Sequence, residues 1–388
     1  MMKFDSSNKA ILALSLSSFC MGVTEFIVAG ILPDIAKYFH TTQPIAGWLV
    51  TLYAIGVVIG APILTIPLSG LDRKRQLLIN LGIFALANLV IALSAYFYLT
   101  LFARLIAGFM HGVFFVIATI TAVKVAKAGK QTQALALMVS GLTVALVTGV
   151  PLGTFVGQIF GFQAVFFLIF ILTSIAFISV LIIMPNNLAG SKTKIKYLLF
   201  ALKVPQMLKV YVITICTCGA AFVLYTYIAD MLLNVSGFEK KSIGLILLLY
   251  GICAIIGNLI GGKLADTKGS IMALRLILLG QVVVYALVAL SAYHPITAII
   301  NLCAMGFFSF GGISPLKSLA MMSAAKYTPD FMDSSISINE GAFNVGIALA
   351  SFIGGVVFAH LGIVFNPIFA SLFALPAFVI VLKSSKII

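Results

Sequence analysis

Residues 163–184 read QAVFFLIFILTSIAFISVLIIM, an apolar stretch without one charged side chain. Crossing a hydrocarbon core about 30 Å thick takes ~20 predominantly apolar residues in helical form, so this stretch reads as a transmembrane helix. Outward from it, similar runs bounded by charges, Pro or Asn recur at 11–33, 46–68, 77–95, 98–123, 134–157, 210–233, 242–262, 271–292, 296–324, 335–359 and 363–382. Across all 388 residues, 62% are hydrophobic and 9% are charged, against about 25% charged in a soluble domain. No stretch is long and polar enough to be a soluble domain. The expected fold is therefore an all-α polytopic membrane protein of twelve helices in two halves. An N-terminal six-helix bundle (1–184) leads through a central loop (185–209) to a C-terminal six-helix bundle (210–388).

The start of the chain, with Lys3 and Lys9 ahead of an apolar run and small residues at Val28-Ala29-Gly30, has some features of a secretory signal. The run to Pro33 exceeds the 7–15 residues of a signal core, and cleavage would leave an odd number of spans. It is read as helix one.

The net charge of +14 is not a nucleic-acid footprint, because the basic residues sit in short clusters between apolar runs. With the N-terminus in the cytoplasm, the inner segments hold Lys3, Lys9, Arg73, Lys74, Arg75, Lys124, Lys127, Lys130, Lys192, Lys194, Lys196, Lys203, Lys209, Lys263, Lys268, Arg275, Lys326, Lys383 and Lys386. Only Lys37, Lys240 and Lys241 fall outside, while Arg104 and Lys317 lie within spans. That bias places both termini in the cytoplasm of a cell inner or plasma membrane. The five cysteines (Cys20, Cys216, Cys218, Cys253, Cys303) all lie in apolar runs and read as buried small hydrophobes, with neither a disulfide framework nor zinc-ligand spacing.

The chain also repeats. Gly70-Leu71-Asp72-Arg73-Lys74-Arg75 follows span two, and Gly262-Lys263-Leu264-Ala265-Asp266-Thr267-Lys268-Gly269 follows span eight. Asp72 and Asp266 lie half a chain apart, as expected of a transporter whose halves meet at a midplane site. Each carboxylate, at a helix N-terminus with Arg73 or Lys268 nearby, is a candidate conformational latch between cytoplasmic helix ends.

These residues resemble the major facilitator superfamily. The second loop matches its G-x-L-x-D-[RK]-x-G pattern closely, and the first keeps Asp72-Arg73. Arg104-x-x-x-Gly108 is similar to a second motif of proton-coupled members. Gly149-Val150-Pro151-Leu152-Gly153 resembles the G-P-x-x-G-G antiporter motif with one residue inserted. With Tyr53 to Pro62 and Gly108-Phe109-Met110-His111-Gly112, these segments look closest to the drug:proton antiporter-1 branch, in particular AraJ-type arabinose-efflux permeases, with sugar- and purine-efflux permeases as relatives. The resemblance implies export of a small organic solute or drug against protons, by alternating access between the bundles. It also implies that helices two with eleven and five with eight line the seam. Gly56 and Gly60, Gly149, Gly153 and Gly157, Gly257 and Gly261, and Gly346 and Gly354 form small-residue stripes that allow close backbone approach. They serve either a smooth rocking seam or ordinary static packing.

Ionisable groups inside the spans are expensive, about 2.5–3.5 kcal/mol at the bilayer centre, and so carry the mechanism. Counting about 1.5 Å per residue, Glu25 in span one and Arg104 in span four both lie about 9 Å from the outer edge of the core. The two are level and can pair. His111 shares the Arg104 face, near the midplane, and its near-neutral titration suits a proton relay; a structural donor between helices is the alternative. In span eleven Glu340 can pair with Lys317 of span ten, unless Lys317 snorkels to the interface. Thr24, Phe109, Phe115, Tyr225 and Asn344 are candidates to line a mostly apolar substrate cavity, alongside Phe114, Phe222, Tyr227, Gln281 and Asn301.

No nucleotide-binding loop, metal motif or nucleophile constellation is present in the sequence, and the four histidines are scattered. The expectation is a monomeric, cofactor-free transporter, not an enzyme, whose partners are protons, a small solute and the lipid bilayer. Uptake by a symporter or facilitator on the same fold is the alternative.

Overall fold

The computed structural model describes residues 6–68, 70–127, 131–186, 188 and 196–384. Lys3, Lys130, Lys192, Lys194 and Lys386 of the charge count lie outside them. Among the described residues twelve helices are long and apolar enough to cross a membrane: α1 (Ser7–Tyr38), α2 (Gln43–Leu64), α3 (Arg73–Leu93), α4 (Phe97–Val125), α5 (Leu137–Phe160), α6 (Phe162–Ile183), α7 (Pro205–Tyr225), α8 (Lys240–Lys268), α9 (Ser270–Ser291), α10 (Pro295–Tyr327), α11 (Ser334–Leu361) and α12 (Ile363–Lys383). Each overlaps one expected span. Most extend beyond the apolar runs, because hydrogen-bonded turns continue into the polar interface. The central connection is shorter than expected, since a helix (Lys196–Ala201) interrupts it and α7 already begins at Pro205.

The helices form two bundles of six with matching internal contacts. In the first, α1 packs on α5 and α6, α2 on α4, and α3 on α4 and α6; in the second, α7 packs on α11 and α12, α8 on α10, and α9 on α10 and α12. The bundles meet where α2 touches α11 and α5 touches α8. The end where α1 begins and α12 finishes is called proximal below, and the opposite end distal.

Local chemistry explains the helix ends. Asp72 N-caps α3, its carboxylate accepting from the Lys74 amide at 3.0 Å. Arg275 of α9 closes the end of α12 by donating to the carbonyls of Val381, Leu382 and Ser384. A single residue joins α5 to α6 and another joins α11 to α12. Gly161 (φ 84°, ψ 162°) and Gly362 (φ 93°, ψ 155°) occupy a backbone region closed to side-chain-bearing residues. The two turns sit at equivalent places in the two halves.

Two spans carry a π-helical turn, Gly60–Leu64 in α2 and Ala145–Gly149 in α5. Such turns accommodate an extra residue in an α-helix and cluster at functional sites. The second ends at Gly149, the start of Gly149-Val150-Pro151, where the sequence has one residue more than the motif it resembles. Beyond Gly219 the helix is interrupted at Ala220–Ala221, resumes over Phe222–Tyr225 and breaks again at Thr226–Tyr227.

Candidate functional site

A buried polar cluster stitches α1, α2 and α4 together. Arg104 is fully enclosed. Its Nε donates to the Leu49 carbonyl at 3.1 Å and its Nη1 to the Thr24 carbonyl at 2.8 Å, while the guanidinium carbon lies 4.1 Å from the Tyr53 ring centre. Tyr53 Oη is 2.7 Å from His111 Nδ1, and the His111 ring stacks on Phe115 at 4.9 Å. Gly108 makes this possible: a Cβ there would stand 2.1 Å from the Tyr53 carbonyl oxygen, so α2 approaches α4 only over a missing side chain. Arg104 Nη2 has no hydrogen-bond partner among the described residues.

The expected Glu25–Arg104 ion pair is not formed. Equal depth was right, since Arg104 reaches the carbonyl of the preceding residue, Thr24. One helical step turns the side chain by about 100°, and Nε and Nη1 are already taken by two carbonyls while the guanidinium lies against a phenol face. Glu25 is 8% exposed and accepts no hydrogen bond from any described residue, although Arg104, Tyr53 and Tyr225 are within electrostatic reach. A carboxylate in that position must either carry a proton or keep access to water or a ligand.

Next to it the two halves close over an aromatic plug. Phe26 of α1 meets Phe222 of α7 and Phe310 of α10, each at 6.4 Å between centroids. Tyr225 stacks on Tyr250 at 5.0 Å, with its hydroxyl buried and unpartnered. Hydrogen bonds and an ion pair join the halves on the distal side of this plug. Lys240 pairs with Asp34, Gln43 donates to Asp230, and Gln158 donates to the Lys240 carbonyl at 2.6 Å. Tyr227 of the second half, its hydroxyl bonded to the Ser351 carbonyl at 3.1 Å, fits a notch at Gly47 of the first. A Cβ on Gly47 would stand 2.1 Å from Tyr227 Oη.

In the second half the expected Glu340–Lys317 pair is present at 3.1 Å, with both side chains about half exposed. Lys317 follows Phe310 by two helical turns and so shares the face that Phe310 turns toward α1. Asn344, one turn from Glu340, is buried with Oδ1 unpartnered, and Asn339 accepts from Thr214 Oγ1 at 2.8 Å.

Several cavity candidates are placed elsewhere. Thr24 is fully enclosed, its hydroxyl donating back to Cys20, because the Arg104 anchor holds that carbonyl inside the bundle. Gln281 is spent on the Thr217 and Phe308 carbonyls, and Asn301 on Ser291. Phe109 and Phe115 are partly exposed, whereas Phe114 is core. Cys253 and Cys303 are only partly buried, unlike the other three cysteines.

The glycine stripes do not line the seam. A Cβ on Gly56 or Gly60 would meet the α4 backbone; on Gly149, Gly153 or Gly157, side chains of α1; on Gly257 or Gly261, the α10 backbone; on Gly346 or Gly354, the α7 backbone. All are packing positions inside one bundle, where the missing Cβ admits a neighbouring backbone or, for α5, the side chains of α1. The seam uses Gly251, opposite the Leu146 carbonyl at 3.1 Å, and Gly244, opposite the Pro151 carbonyl at 3.2 Å. Of the motif residues, Pro151 presents its carbonyl to Gly244 across it.

The loop pair also differs from expectation. Asp72 serves its own helix, the Arg73 amide donates to Leu188, and Lys74 Nζ donates to Asn186, all within the first half and its outgoing strand of chain. Asp266 and Lys268 occupy the last turn of α8 rather than a helix N-terminus, because α8 runs a turn and a half past Gly262; both are exposed and bridge to no described residue. Sequence inspection missed Tyr53, Gly47 and Asp230. No spacing rule marks them, since their partners are distant in the chain.

Twelve spanning helices in two like bundles, with buried ionisable groups where they meet, define a secondary membrane transporter. The profile of the Major Facilitator Superfamily matches residues 14–332, and the chain belongs to that family. It is 39% identical over 364 residues to "Uncharacterized MFS-type transporter YtbD" of Bacillus subtilis (strain 168), covering 92% of each chain. It is 34% identical over 382 residues to "Inner membrane transport protein YdhP" of Escherichia coli (strain K12), covering 98% of this chain and 96% of that one. To "Putative transporter AraJ" of the same organism it is 30% identical over 373 residues, covering 95% and 91%. Among solved structures, a bacterial homolog to the human lysosomal transporter Spinster, in an inward-facing and unoccupied conformation, superimposes with TM-score 0.74 at 14% identity, covering 98% of both chains. The family and these relatives are transporters, not enzymes.

Proposed function

We propose that this chain is a proton-coupled antiporter that exports a small organic solute, with Glu25 as the group that takes up and releases the proton. The observation that carries the reading is a nearly enclosed carboxylate without a partner, one residue from the carbonyl that holds Arg104. A neutral, protonated Glu25 tolerates enclosure when the bundles shut around it; an ionised one favours a state in which water or a solute reaches it. Arg104, locked by Leu49, Thr24 and Tyr53, acts as a fixed positive charge beside it. His111 and Phe115 on one side, Tyr225 and Asn344 on the other, are the proposed solute contacts, and the Lys317–Glu340 pair lines the path.

The basic bias of the proximal end puts both termini in the cytoplasm. The distal contacts then close the outside, so the path in this state leads inward. The halves 1–184 and 210–388 are the moving units, and one monomer suffices. Asp72 at the start of α3 and Asp266 in the last turn of α8 are the proximal groups that would meet the opposite half when the cycle reverses.

The test is Glu25→Gln in proteoliposomes under an imposed pH gradient, screening drugs, purines and sugars while lumenal pH is recorded. The variant should insert, fold and still exchange solute across equal pH, but lose gradient-driven flux. Normal proton-driven flux in the variant would make Glu25 structural and pass the coupling role to Glu340 or His111.

A further inference from the structure

Among the described residues, the short helix Lys196–Ala201, between the bundles, is a strongly apolar exposed segment that no membrane span accounts for. Tyr197, Leu199, Phe200 and Leu202 are exposed by 36%, 56%, 47% and 45%. Four large apolar side chains in so short a stretch would be unfavourable in water. The helix is nonetheless fixed in place: Ala201 is fully buried, and the Phe200 ring lies 6.3 Å from Phe331, just ahead of α11. Its flanks are basic, with exposed Lys196, Lys203 and Lys209, and Lys192 and Lys194 nearby in sequence. No acidic residue occurs anywhere between Asp72 and Asp230. Asp330, adjacent to Phe331, forms no ion pair with Lys196 or Lys203 among the described residues, so the charge of this segment is not neutralised locally.

Exposed apolar side chains beside the start of α11, next to lysines that form no ion pair among the described residues, match the interface of an anionic bilayer. We propose that Lys196–Ala201, together with Lys203 and Lys209, forms a binding surface for anionic phospholipid. The side chains of Leu199 and Leu202 enter the acyl boundary, and Lys196, Lys203 and Lys209 hold the headgroups. Because Phe200 contacts Phe331, lipid held there bears on the proximal end of α11, a helix of the seam. The orientation proposed above decides only which leaflet is bound.

The chain has a single tryptophan, Trp48, so Trp48→Phe combined with Leu199→Trp gives a one-tryptophan reporter in the full-length protein. It is reconstituted in nanodiscs of phosphatidylcholine and phosphatidylglycerol, with either lipid brominated in its acyl chains. Brominated phosphatidylglycerol should quench emission more strongly than the choline lipid at equal fraction, with the difference shrinking at high salt. Adding Lys196→Gln or Lys203→Gln should raise the anionic fraction needed for half-maximal quenching about fivefold per lysine. Equal quenching by both lipids overturns headgroup recognition. Quenching by aqueous iodide and by neither lipid places the helix in water, and protection from all quenchers places it on protein; either result overturns the proposal. Outside labelling of the termini reads the orientation separately, without affecting these ratios.

Discussion

Replacing Gly47 by alanine perturbs the distal closure at its tightest point. The new methyl would lie 2.1 Å from Tyr227 Oη and 2.7 Å from Cζ. Reaching ordinary contact at 3.4 Å requires the phenol or the helix to move by about 1.3 Å. Tyr227 has little freedom to yield: it is 1% exposed, bonded to Ser351 and set edge-on to Phe358. Overpacking of this kind costs about 1–3 kcal/mol. Gly47 and Tyr227 belong to different bundles, so the penalty applies only while the distal side is shut. It therefore shifts the balance toward the distal-open state by about 5–150-fold. Single-molecule energy transfer between dyes at His40→Cys and His294→Cys, in a background lacking the five native cysteines, reads the two populations in nanodiscs. Tyr227→Phe removes the nearest atom while leaving Cζ, so the double variant should recover part of the shift, and the cycle isolates the contact. A well-folded Gly47→Ala protein with an unchanged distribution refutes the idea that this notch helps hold the outside shut.

Other expectations scale with burial. Lys240→Met removes an ion pair to Asp34 whose lysine is 49% exposed; the same dye pair should show a shift of no more than about fivefold, fading at high salt. Gly257→Ala, whose Cβ would lie 2.0 Å from the Phe307 carbonyl inside one bundle, should lower the melting temperature markedly, whereas Gly251→Ala, facing Leu146 across the seam, should slow transport with a smaller loss of stability. Tyr53→Phe leaves His111 Nδ1 without its partner and should destabilise by about 1–3 kcal/mol, read as a lower chemical midpoint in detergent. Membrane-impermeant thiol reagents should label cysteines placed at His40 or His294 in intact cells and miss one placed at Lys268; the reverse pattern would invert the orientation.

The sequence by itself determined the quantities that run along a helix axis. Run length set the number of spans, and spacing from the run ends gave the depth of Glu25 and Arg104. The Asp72 and Asp266 loops showed the duplication. Depth depends only on rise per residue, which is why Arg104 does reach the level of Glu25 and Lys317 does meet Glu340. Direction around the axis was not legible, because nearly every face of a lipid-embedded helix is apolar and periodicity no longer separates inside from outside. Only tertiary packing decided that Arg104 spends its donors on Leu49 and Thr24 and leaves the Glu25 carboxylate unpaired. The same holds for the glycines: a small-residue stripe announces that some backbone comes close, and the assembled bundles decide which one. For Gly149, Gly153, Gly157, Gly257 and Gly261 it is a helix of their own half, while Gly244 and Gly251, outside any recognised motif, face the other half. Contacts such as Gly47 with Tyr227 join residues about half a chain apart, where no local rule relates them and only the closure of one bundle on the other brings them together.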